Sequence, residues 1–133
     1  MTFLLLILAV MFISAALLVG ISDNIPAILI LFSGIVLFIT AFVHIWKRIK
    51  QYLILALIFA LAFPVFVVLH NVFYGVSDLY SGKILLAGAA HFMDTTTFII
   101  AVVVCPACVI VGLVGALILY VKIRRVGPGA HQG

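Results

Sequence analysis

The chain has 133 residues, 68% of them hydrophobic and 8% charged, with a mean hydropathy of +1.55 and a formal net charge of +4. A soluble domain carries about 25% charged residues, so this chain has too few polar groups to cover itself in water, and lipid has to be its solvent. The positive charge calls for no nucleic-acid partner, because anionic lipid attracts basic residues near a membrane surface at about 1 kcal/mol each.

A membrane-crossing helix takes about 20 mostly apolar residues, and the sequence accommodates four with short links and no water-exposed domain. The expected fold is an all-α integral membrane protein: a four-helix transmembrane bundle over 1–126, then a flexible cytoplasmic tail over 127–133. The first span runs from about Thr2 to Gly20. No Lys or Arg precedes its apolar run, as a secretory leader would require, so it is read as a retained helix. SDNIP follows as a turn, with Ser22, Asp23 and Asn24 as candidate caps and Pro26 where proline suits a helix start. The second span runs from about Pro26 to Trp46 and is closed by KRIKQY. The third runs from about Leu53 to Tyr74, and the fourth from about Thr97 to Val121.

Charge placement sets the expected orientation. Lys47, Arg48 and Lys50 lie in the second link, and Lys122, Arg124 and Arg125 follow the fourth span; the other side receives Asp23, Asp78, Asp94 and Lys83. Short cationic loops stay cytoplasmic, so both termini and the middle link are expected inside, with the plasma membrane as the location. Trp46, Tyr52 and Tyr120 then mark the inner interface, and Tyr74 and Tyr80 the outer one.

On these boundaries no Asp, Glu, Lys or Arg falls inside a span. Ion-coupled transporters place ionisable groups there, which argues against transport by this chain alone. The remaining polar groups gather outside. His70 and Asn71 end the third span, and Asp78 follows. The link SGKILLAGAAHFMDTTT is too apolar for a plain loop and too short to span. ILLAGAAHFM is read as a short interfacial helix with Leu85, Ala89 and Phe92 roughly on one face. His91 and Asp94, three apart, share a helix face. With His70 and Asp78 they form a candidate copper or zinc set, against the simpler reading that they satisfy helix ends and headgroups. His44, at the inner end of the second span, is too far from His70 for the two to ligate one haem.

The fourth span holds the only two cysteines, in VVVCPACVIVG. Cys105 and Cys108 are a candidate redox pair on one helical face, and half of a tetrahedral metal site for which this chain supplies no other half. A small-residue stripe of Cys108, Gly112, Gly115 and Ala116, matched by Ala56, Ala60 and Pro64 on the third span, instead predicts close helix packing. Pro106 removes a backbone donor and is expected to bend the helix. A four-helix membrane protein with CxxC on its last span resembles the vitamin K epoxide reductase family; the resemblance rests on CPAC alone. It implies a dithiol beside a quinone, fed by a second cysteine pair in an outer loop. This chain has no second pair, and its first outer link is a short turn.

Three functions follow as expectations. The leading one is a small accessory subunit of a larger integral-membrane complex, more naturally without enzymatic activity of its own, packing through small-residue faces against other membrane subunits. A thiol oxidoreductase or quinone-associated protein using CPAC is the second. A metal- or substrate-handling protein using the outer His/Asp cluster is the third. No cofactor is predicted within the chain; a quinone, a haem, or copper or zinc would sit at an interface with a partner.

Overall fold

The computed structural model describes residues 1–20, 24–79, 82 and 84–126. It is all-helical among these residues: α1 (Thr2–Val19), α2 (Ile25–Val43), α3 (Ile49–Leu79), α4 (Ile84–Ile99), a π-helical turn (Ile100–Val104) and α5 (Cys105–Val126). Four continuous helical stretches are long and apolar enough to cross a membrane, the last running unbroken over Leu85–Arg125.

Local chemistry explains most of the boundaries. α1 stops at Gly20, whose φ of +86° is open to a residue without Cβ, and whose N–H still reaches the Ala16 carbonyl. α2 starts after Asn24, which takes the N-cap in an extended conformation with Pro26 in the first turn. Ser22 and Asp23, the other candidate caps, lie outside the described residues, as do Tyr80, Lys83 and the tail 127–133. α2 ends at Val43, short of Trp46. Its terminal carbonyl is taken up by Tyr52, whose hydroxyl donates to the Val43 oxygen at 2.6 Å. The same carbonyl also accepts from the Trp46 N–H at 2.9 Å, which closes the turn after the helix, so Tyr52 adds a second bond to it from the next helix. Tyr52 is buried in the bundle, and its ring meets Trp46 edge-on at 5.4 Å.

The helices form two antiparallel hairpins. In the first, Gly34 of α2 lies against Ile13 and Phe12 of α1, and Thr2 bonds to His44 across the far end. In the second, α3 packs along both α4 and α5. The last helix joins the two, since α2 and α3 both pack on it. Ala16, Leu31 and Val103 form one shared core, and Val43, Tyr52, Val111 and Ala116 another.

The hairpins differ in length. α1 and α2 have 18 and 19 residues, or just under 30 Å at about 1.5 Å per residue, which matches a hydrocarbon core of about 30 Å. α3 has 31 residues, and α4, the π turn and α5 have 16, 5 and 22. The expected loop between the third and fourth spans thus shrinks to the few residues between Leu79 and Ile84. The segment read as a separate interfacial helix is helical, but as α4 it is continuous with the last span and packed along α3. Asp94, expected in that loop, lies inside the long apolar helix.

Candidate functional site

The most polar buried point is where α3 meets α4. His70 Nδ1 lies 2.7 Å from Asp94 Oδ1 and 3.4 Å from the Asp94 carbonyl oxygen. Both facing atoms are acceptors, so Nδ1 carries the hydrogen. Oδ1 stands off the N–H axis and has no aligned donor, although Asp94 is only 8% exposed. Thr97, also buried, donates from its hydroxyl to the carbonyls of Met93 and Asp94, each at 2.9 Å. Phe98 closes the site with its ring 5.2 Å from the imidazole. A buried carboxylate next to an imidazole is a place where a proton or a cation can be held.

Of the four residues singled out as metal ligands, the structure brings together only His70 and Asp94. Asp78 and His91 are exposed, and no group of three His, Cys, Asp or Glu is placed to hold one metal ion among the described residues. Asn71 donates to the Val67 carbonyl within its own helix.

Cys105 and Cys108 are free thiols, both buried, at 0% and 3% exposure. The turn before them is where the proline acts. Pro106 has no N–H, and the preceding turn widens so that the Cys105 N–H reaches back to the Ile100 carbonyl. A π bulge absorbs the lost bond without breaking the helix. It also resets the face, so Ala101, Val103, Cys105, Ala107 and Cys108 are all buried. A small groove of about 370 Å3, lined by Ala60, Phe63, Pro106, Val109 and Ile110, passes over Cys105.

The glycines of α5 touch α3 at backbone distance. A Cβ on Gly112 would lie 2.7 Å from the Tyr52 carbonyl oxygen and 2.9 Å from the Ala56 Cβ, and one on Gly115 would run into the Tyr52 ring. Ala56 and Ala116 are buried beside them. Ala60 and Pro64 are exposed, so the α3 side of the stripe is confined to Ala56 and Tyr52.

At the opposite end from His70, a cleft of about 1100 Å3 lies between α2 and α5. It is lined by Val36, Thr40 and Val43 on one side and Val111, Val114, Ile118 and Leu119 on the other, with Lys47 and Lys122 among its polar residues. His44 borders it but is already engaged. Its Nδ1 donates to the Ala41 carbonyl at 2.9 Å, and Nε2 faces the Thr2 hydroxyl at 3.1 Å. Sequence reasoning missed this cleft, because its lining comes from two helices whose mutual register no spacing rule predicts.

No protein-family model, no curated protein and no solved structure matches this chain.

Proposed function

We propose that the chain is a small accessory subunit of a larger integral-membrane complex, docking through the far end of the α3–α4 hairpin. The observation that carries this reading is the mismatch between the hairpins. Ala16 and Val103 share a core, Val19 lies three residues beyond Ala16, and Asp94 nine beyond Val103. At about 1.5 Å per residue, Asp94 stands about 9 Å past the end of α1. The rest of α3 and the first two turns of α4 extend further still.

No described residue covers that overhang. Val72, Tyr74, Leu79, Leu85, Leu86 and Phe92 on it are each more than half exposed. If α1 and α2 span the hydrocarbon, these side chains lie at or beyond the headgroups, where apolar surface needs a cover. Leu85, Ala89 and Phe92 share an exposed face of α4, suited to an apolar groove on another membrane subunit. The small-residue faces are largely consumed inside the bundle and do not serve the docking.

The orientation that goes with this reading puts the basic end, with Lys47, Arg48, Lys50, Lys122, Arg124 and Arg125, in the cytoplasm of a plasma-membrane protein. Extraction into native-lipid nanodiscs followed by native mass spectrometry is the test. A stoichiometric partner chain is expected, released by Leu85→Asn with Phe92→Asn while the isolated chain stays folded. A monomer without partners in its own membrane overturns the reading.

A second reading, cation or substrate handling at His70 and Asp94, draws on the buried Oδ1 without an aligned donor. It requires Asp94→Asn to abolish binding of copper, zinc or a proton-coupled substrate by the reconstituted chain. Elemental analysis and liposome flux both report on it.

A further inference from the structure

The cleft between α2 and α5 combines two features that no part of the proposed docking uses. Its walls are aliphatic, Val36 and Val43 facing Val111, Val114 and Ile118, and it also takes in two lysines, Lys47 from the α2–α3 link and Lys122 from the end of α5. Neither lysine makes an ion pair with a described residue. The chain has three acidic residues, Asp23, Asp78 and Asp94, and no glutamate. Asp78 and Asp94 are near the other end of the bundle, and Asp23 lies outside the described residues. Among the described residues no carboxylate pairs with the two ammonium groups beside this hydrophobic slot.

We propose that the cleft seats one anionic phospholipid, with its phosphate at Lys47 and Lys122 and an acyl chain along Val36, Val114 and Ile118. The volume of about 1100 Å3 lies just above the ~300–1,000 Å3 range of small-molecule pockets, room enough for a chain as well as the glycerol region. Long lysine side chains lay their methylene stems on apolar walls and keep the ammonium at headgroup depth. Trp46 borders the same mouth, where an amphipathic ring suits the interface. Charge and shape thus select the same molecule. A zwitterionic lipid fills the slot but gains less from the lysines, and a soluble phosphate meets the lysines but leaves the slot empty.

The experiment is competition between phosphatidylglycerol and phosphatidylcholine of identical chains, read by native mass spectrometry on the purified full chain. One phosphatidylglycerol per chain is expected to be retained with about 10- to 30-fold preference, the effect of two basic residues at a surface. Lys47→Gln with Lys122→Gln should abolish the preference. Arg124→Gln with Arg125→Gln removes the same charge from the same end outside the cleft, and should leave most of it. Val114→Phe narrows the slot with both lysines intact and should weaken retention at least several-fold. Circular dichroism and monodispersity confirm that each variant folds. Equal loss from the arginine and lysine pairs means diffuse surface attraction and overturns the proposal. So does equal retention of the two lipids, competition by glycerol phosphate as strong as by the lipid, or a second copy of this chain cross-linking through Val114.

Discussion

His70 and Asp94 come from different helices, 24 residues apart in sequence, and place an imidazole nitrogen 2.7 Å from a buried carboxylate oxygen. Breaking a buried charged or polar pair from one side leaves the other side unpaired, which costs more than the pair itself contributes. His70 is partly exposed, so His70→Leu should destabilise the protein by about 1–3 kcal/mol, the cost of leaving a buried polar group unsatisfied. Joint replacement with Asp94→Leu should cost less than the sum of the single changes. A double-mutant cycle from reversible unfolding in mixed micelles measures the coupling, expected at about 1–2 kcal/mol, toward the upper end for polar pairs in membrane bundles.

Glycine substitutions should divide by location. Gly112→Ala drives a methyl group into the Tyr52 carbonyl and Ala56, and overpacking of this kind costs about 1–3 kcal/mol. Gly75 and Gly88 are helical glycines with nothing near the position of a Cβ. Alanine at either should be neutral, or stabilising by up to about 1 kcal/mol through helix propensity. Thermal unfolding of the three variants in one detergent is a sufficient comparison.

The π turn should depend on Pro106. Pro106→Ala restores a backbone donor, and a return to α-helix would rotate the preceding residues by about 100°, one helical position. Ala101 and Val103, each 2% exposed, would leave the buried face. The expected result is an altered backbone shift pattern over Ile100–Val104 by NMR, with a stability loss of about 1–3 kcal/mol from disturbed packing. Unchanged shifts would place the cause of the wide turn in tertiary packing.

Thiol chemistry should be silent in the folded chain. Because Cys105 and Cys108 are free and buried, maleimide labelling in bilayers should be slow, rapid after denaturation, and the same with and without prior reduction. Cys105→Ala with Cys108→Ala should retain assembly and lose about 1–2 kcal/mol from the small voids left behind. Labelling that rises on reduction would return the pair to redox chemistry.

Much of this molecule is legible without coordinates. An apolar chain with 8% charged residues demands helices, because only they satisfy every backbone group within one segment in lipid. Four apolar runs fix the number of long helices. Gly20 and Pro26 mark where α1 stops and α2 starts. The CPAC stretch announces a perturbed helix, since a proline cannot donate.

Tertiary structure decided the rest. Hydropathy measures how long a segment is apolar, and helices continue past that limit wherever a neighbour packs against them. That is why α3 and the last helix exceed the expected spans, and why Asp94 falls inside a helix, opposite His70. Tyr52 reads as an interface residue in sequence, yet the close approach of α3 to α5 at Gly112 and Gly115 packs its ring inside the bundle. The pairing of His70 with Asp94 and the cleft holding Lys47 and Lys122 depend on the register between helices. That register is set by which glycines and alanines let backbones approach, a many-body packing choice that no local spacing encodes.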